Sequence, residues 1–152
     1  MATIEQVQAR LNALINNLSP QARQQLARRI GQQLRKSQQA RIARQQNPDG
    51  SKYEPRKQQK MRRKKGRVKR RAMFVKLKTA RFLKIRTNAN EAVIGFTGGV
   101  ADIATIHQYG LSAKTTKNAN YKVQYAQREL LGFTDEDVEI IENLVLEQLS
   151  QN

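Results

Sequence analysis

Between Lys52 and Arg71, twelve of twenty residues are Lys or Arg, Glu54 is the sole acid, and apolar side chains are almost missing. Such a stretch cannot bury enough apolar surface to offset the entropy of ordering its own backbone, so it hangs as a loop or arm from a core built elsewhere in the chain. That core has to come from the two flanks. Apolar residues make up 38% of the 152, enough for one modest core and too many for a disordered polyelectrolyte.

The formal net charge of +17 exceeds what solubility requires and implies an anionic partner. Residues 1 to 90 hold 25 basic and 3 acidic side chains, residues 91 to 152 only 4 and 9, so the two parts are expected to face different neighbours. With no cysteine, disulfides and thiolate metal sites are excluded and the reducing cytosol is compatible. No stretch approaches the roughly 20 apolar residues of a membrane span, and neither an export signal nor a membrane contact is expected.

The flanks carry helix and strand patterns. Thr3 and Gln6 are spaced as a capping box ahead of Ile4, Val7, Leu11, Leu14, Ile15 and Leu18, which recur at helical spacing. Ser19-Pro20 stops that helix and starts another with a stripe of Ala22, Leu26, Ile30 and Leu34, running to about Gln46. The two form a helical hairpin or one kinked long helix. Asn47-Pro48-Asp49-Gly50 is a turn. Beyond the basic stretch, Met73, Phe74, Leu77 and Ala80 predict a short helix. Leu83–Thr87 and Ala92–Thr97 predict a hairpin joined through Asn88–Glu91. Val100, Ile103, Ala104 and His107 share a helix face closed by Gly110. Residues 111 to 120 read as a loop and Tyr121–Tyr125 as a further strand. Thr134 caps a terminal helix with Asp135, Glu136 and Asp137 in its first turn and Val138, Ile141, Leu144, Val145 and Leu149 on one face. The class is α+β, with an N-terminal helical region over 1–46, a basic loop or arm over 47–72, and an α+β core with a C-terminal helix over 73–152.

Chemistry-bearing motifs are few. Lys60, Arg62, Arg63, Lys64, Lys65, Arg67, Lys69, Arg70 and Arg71 suit phosphate contact, which gives salt-dependent, sequence-independent affinity; an acidic protein surface is the other partner such a run fits. Only Tyr53 and Phe74 flank it, so base stacking and sequence readout are not expected. His107 is the only histidine and lacks a second ligand or a triad, which makes it a structural, hydrogen-bonded residue. Gly98-Gly99 lacks the Lys-Ser/Thr of a phosphate loop and reads as a turn. No catalytic residue, metal site or cofactor is expected. The acidic terminal helix reads most simply as a capped helix with a solvated face, or else as a face for the basic half of a neighbouring subunit.

The series Gln45 to Tyr53 (with Pro48, Asp49, Gly50 and Tyr53), Ile106 to Leu111 (with His107, Gln108, Tyr109 and Gly110) and Arg128 to Thr134 (with Arg128, Leu130, Leu131 and Gly132) resembles the phage virion morphogenesis family, nearest the tail completion proteins of temperate phages with contractile tails. The resemblance covers nearly the whole chain. Two departures stand out: Ala126 and Glu129 occupy a corner where the family usually has prolines, and Tyr53 stands where a tryptophan is often found. The resemblance implies a structural subunit of the virion tail or neck, assembled in the host cytoplasm with other tail and neck proteins, in a homo-oligomeric ring expected to be a hexamer. The basic run would there meet phage DNA or an acidic neck protein. The alternative, resting on charge alone, is a free sequence-nonspecific nucleic-acid-binding protein.

Replacing Lys64, Lys65, Arg67, Lys69, Arg70 and Arg71 by Gln leaves the core untouched, so the variant should fold. If the run meets DNA, the log–log salt slope of DNA binding should flatten by roughly one unit per phosphate contact removed. Filter binding across a salt series reads the slope, and counting infectious particles reads the effect on an acidic-protein contact. An unchanged slope together with normal yield would reduce the run to a solubilising loop.

Overall fold

The computed structural model describes residues 3–56, 72–114 and 118–151, with the side chains of residues 4 and 7 outside that set. The basic run from Lys60 to Arg71 thus lies outside the described residues. The element order is α1 (Ile4–Asn16), α2 (Pro20–Ala43), β1 (Leu83–Thr87), β2 (Ala92–Phe96), a 3-10 turn (Gly98–Val100), α3 (Ala101–Tyr109), β3 (Ser112–Ala113), β4 (Val123–Gln124) and α4 (Asp135–Ser150). The class is α+β. The chain separates into two compact units, one from Met1–Ser37, Ile85–Gly95 and Phe133–Asn152, the other from Gln38–Lys84 and Phe96–Gly132.

In the first unit, local chemistry starts each helix. Thr3 and Gln6 close the capping box of α1, with Thr3 Oγ1 accepting from the Gln6 N–H at 3.2 Å and Gln6 Oε1 from the Thr3 N–H at 3.0 Å. Ser19 Oγ accepts the Ala22 N–H at 3.1 Å, and Pro20 opens α2 where its missing N–H costs nothing. Thr134 and Asp137 form a second capping box on α4. The core gathers Leu18, Leu26 and Val145, with Leu11, Ile15, Ala22, Ile30, Ile141, Leu144 and Leu149 packed around them. β1 alternates, Ile85 and Thr87 inward and Lys84 and Arg86 outward. Ile85 lies against α2 at Gly31, where a Cβ would sit 2.6 Å from Ile85 Cγ2, so only glycine admits the strand there.

Helical spacing overstates these stripes. Leu14 and Val138 are 49% and 45% exposed. The position facing inward in the first turn of α4 is instead Asp137, fully buried, its carboxylate accepting from the Thr134 N–H at 2.9 Å and from the Ser37 hydroxyl. A carboxylate supplied with two donors tolerates burial that a bare one does not.

The second unit begins inside α2, at Gln38. Its core is Ile42, Tyr53, Met73, Leu77, Ala104 and Leu130, with Phe74, Phe96 and Val100 against it. The turn at Asn47–Gly50 forms, with the Gly50 N–H bonding the Asn47 carbonyl at 2.9 Å and Gly50 at φ +89°. The helix expected over Met73–Ala80 does not. Phe74 sits at φ +67°, and both backbone groups of Met73 are engaged by the Gln45 side chain, at 2.7 and 2.9 Å. Residues 73 to 78 are consequently a run of turns that still buries Met73 and Leu77. The hairpin of β1 and β2, whose residues 85–95 belong to the first unit, is present, its link tied by Asn88 Oδ1, which accepts from the N–H groups of Asn90 and Glu91. α3 ends at Gly110 in the left-handed region, but Ile103 points outward, 50% exposed. The strand expected over Tyr121–Tyr125 shortens to Val123–Gln124, and its antiparallel partner, Ser112–Ala113, lies in the segment read as loop.

Leu26→Ala should cost about 2–5 kcal/mol, because it empties a packed site, whereas Val138→Ala should stay within about 0.5 kcal/mol. Denaturant melts of the two variants check this; equal losses would contradict the burial of α4 described above.

Candidate functional site

The buried stripe of α2 continues past Leu34 in polar form. At the same helical phase come Gln38, Arg41 and Ile42, with Gln38 and Arg41 only 3% and 2% exposed, and Gln45 follows just past the helix end. Their targets are main-chain groups on the segment entering α4. Arg41 donates from Nη1 to the carbonyls of Gln46 (3.0 Å) and Glu129 (2.9 Å), and from Nη2 to that of Leu130 (2.7 Å) and to Gln38 Oε1. Gln38 bonds both backbone groups of Gly132, at 2.8 and 3.2 Å. Gln108 on α3 accepts from the N–H groups of Leu130 and Leu131 at 2.8 and 2.9 Å and donates to the Leu131 carbonyl at 2.8 Å. Asn47 Oδ1 accepts the Glu129 N–H at 2.9 Å, and the Tyr53 hydroxyl donates to the Glu129 carbonyl at 2.8 Å. Every backbone N–H and C=O from Glu129 to Gly132 is therefore bonded to a side chain. A strand would satisfy these groups through a ladder; here side chains from α2, the Asn47 turn and α3 replace it.

The Arg128–Gly132 motif, Pro48 of the turn, Tyr53, and His107 and Gln108 thus converge on one place. Gly132 sits against the Pro48 ring, where a Cβ has no room, and at Gly110, φ +64°, a Cβ would lie 3.0 Å from the Gln127 backbone nitrogen. At this corner the Glu129 N–H, which a proline would not have, donates to Asn47 Oδ1. Tyr109 and Asp49 stand apart. Tyr109 is 66% exposed, and Asp49 is an exposed turn carboxylate held below its ordinary range by the hydroxyl and N–H of Ser51.

The same residues clasp the chain on both sides of the basic run. Arg128 donates from Nε to the Glu54 carbonyl at 2.7 Å and from Nη2 to that of Pro55 at 3.1 Å. Gln45, at φ +57°, accepts the Tyr53 N–H on its own carbonyl at 2.7 Å while its side chain holds Met73. Tyr53, Phe74, His107 and Tyr125 stack edge to face in series, with ring centroids 5.7, 4.9 and 5.3 Å apart. His107 Nδ1 lies 3.3 Å from Arg128 Nη1. Since a guanidinium only donates, Nδ1 is the acceptor and the imidazole is neutral with its proton on Nε2. Burial first, then the charges of Arg128 and Arg56, push its pKa down to about 4. Burial raises that of Tyr53.

Sequence reading missed Gln38, Arg41, Gln45 and Asn47 as working residues. A signal existed: the first three extend the Leu26, Ile30, Leu34 phase at helical spacing. Among the described residues, no group of three or more His, Cys, Asp or Glu is placed to hold a metal, and no helix is long and apolar enough to cross a membrane.

This geometry is that of a scaffold whose polar side chains serve its own backbone. The profile of the phage virion morphogenesis family matches residues 2–150, and the chain belongs to that family. Tail completion protein S of Escherichia phage P2 is 45% identical to it over 152 residues, covering 99% of this chain and all of the relative. No solved structure matches.

The neutral His107 gives the fold a pH signature. The unfolded chain takes up the proton near 6.5 and the folded one only near 4. Between those values the unfolded state binds more protons, so the contribution of His107 is full above about 6.5 and is lost as pH falls toward 4. His107→Gln keeps an acceptor for Arg128 but cannot titrate. Melting temperatures across pH 7 to 4 should therefore fall less steeply in the variant than in the parent; parallel curves would show that the ring is not held neutral.

Proposed function

We propose that this protein is a structural tail completion protein that acts in virion assembly, as a subunit of a ring at the head-proximal end of the tail. The observation that carries the reading is the end-to-end relationship to tail completion protein S of phage P2. The structure is in keeping with it. Side chains able to do chemistry are spent on the fold, Arg41, Arg128 and Gln108 on holding main chain and His107 on Arg128 and the rings of Phe74 and Tyr125, which suits an assembly part better than an enzyme. Its partners are other tail and neck proteins, its place is the virion tail after assembly in the host cytoplasm, and a ring of identical subunits, a hexamer, closes by heterologous contacts. In this reading residues 1–46 are the helical region, 47–72 the basic loop and 73–152 the α+β core. Lys60 to Arg71 then meet phage DNA or an acidic neck protein from a clasped base.

The test is a phage lacking this gene, complemented in trans. Without the protein, particles should carry incomplete or unjoined tails in electron micrographs, and supplying it should restore plaques. Purified particles should hold it in a small fixed copy number resistant to salt. Normal joined particles from the deletion, with the protein following host DNA and washing off in salt, would instead support the free nucleic-acid binder.

A further inference from the structure

Half of the twelve acidic residues of the chain fall in α4, a helix with no Lys or Arg, while all 29 basic residues lie elsewhere. Two of the six are occupied within the unit: Asp137 is buried on Ser37 and Thr134, and Glu147 pairs with Arg29 of α2. The others, Asp135, Glu136, Glu139 and Glu142, are exposed, and among the described residues none forms an ion pair. The outward side of the helix also carries Val138 and, one turn beyond Glu142, Leu146, which is 57% exposed. Exposed apolar side chains beside a row of unpaired acids are the composition of a docking face.

A face of opposite sign exists on the same chain. α2 contains no acid, and Arg28, Gln32 and Lys36 follow one another at a spacing of four, all exposed. Arg28 to Lys36 spans about 12 Å of helix and Asp135 to Glu142 about 10 Å, so the two rows match in length. We infer that the outward face of α4 docks on the Arg28–Lys36 face of α2 in a second copy of this chain. Charge complementarity selects this occupant: copies bearing +17 repel one another except where an acidic surface can meet a basic one. The Arg29–Glu147 pair shows α2 and α4 already joined by the same chemistry within one chain. Because the two faces differ, the contact is heterologous and repeats from copy to copy, closing a ring when the rotation allows. This rests on the assembly role proposed above and supplies the contact that role requires.

Full-length protein is compared in four forms: parental, Glu139→Lys with Glu142→Lys, Arg28→Glu with Lys36→Glu, and all four changes together. Circular dichroism verifies that each is folded, as exposed substitutions should be. In sedimentation velocity the parent should self-associate, each two-site reversal should weaken association by about tenfold or more, and the four-site variant should regain it because the signs are exchanged on both sides. A parent that stays monomeric, reversals that associate like the parent, or a four-site variant no better than its components would each overturn the inference; the last would point to a different protein on one face. Complementing the deletion phage with the same four genes separates the two proposals. Association that follows the predicted pattern without plaque rescue by the parent refutes the tail role and leaves the contact standing. Rescue by all four forms with unchanged association does the reverse.

Discussion

A buried guanidinium near the end of α2 holds the second unit together. Arg41 is removed from water and has to be satisfied by protein, and it finds three carbonyls, from Gln46, Glu129 and Leu130, along with Gln38 and the Tyr53 hydroxyl at 3.4 Å. Of its nitrogens only Nε lacks a partner among the described residues. Arg41 and Glu129 stand 88 positions apart in sequence, and two distant pieces of chain are joined at this one group. A neutral side chain could offer neither the number of donors nor their planar fork. Breaking such an arrangement leaves several buried carbonyls unsatisfied at once, which makes it costly out of proportion to a single hydrogen bond.

The arrangement also explains how a polar, aromatic-poor chain makes a defined corner. Tight corners are commonly stiffened by proline, which removes backbone freedom. Here Glu129 to Gly132 keep every N–H, and each becomes a point of attachment for Asn47, Gln108 or Gln38. Stiffness comes from tertiary hydrogen bonds in place of local covalent restriction, and it depends on α3 and the Asn47 turn being present. Two neighbouring side chains, Arg128 and Gln45, hold the chain on either flank of the basic run. Among the described residues, Arg128 thus holds Glu54 and Pro55 on one side and Gln45 holds Met73 on the other.

Charge is separated with similar economy. The helices of the first unit place an acid-only element, α4, beside a basic one, α2, and use just one ion pair between them among the described residues. The remaining charges face solvent, where isolated pairs contribute little to folding stability and more to the choice of partner.

Sequence alone is enough wherever a short segment carries its own physics. The capping boxes at Thr3 and Thr134, the Ser19-Pro20 break, the Pro48–Gly50 turn, the β1–β2 hairpin and the Gly110 stop are decided by residues within a few positions of one another, so they are legible in the residue pattern itself, as is the α+β class. What the sequence could not decide is which side of an amphipathic stripe meets a neighbour. Leu14, Ile103 and Val138 fit helical spacing yet face solvent, while Gln38, Arg41, Asp137 and Gln148 look like surface residues yet are buried. Polar burial depends on partners supplied from distant parts of the chain, Arg41 by Leu130, Asp137 by Ser37. The turns at Met73–Lys78 have the same origin: Phe74 takes a left-handed backbone next to Met73, whose N–H and carbonyl are held by Gln45, and only the closed tertiary structure brings that side chain within reach.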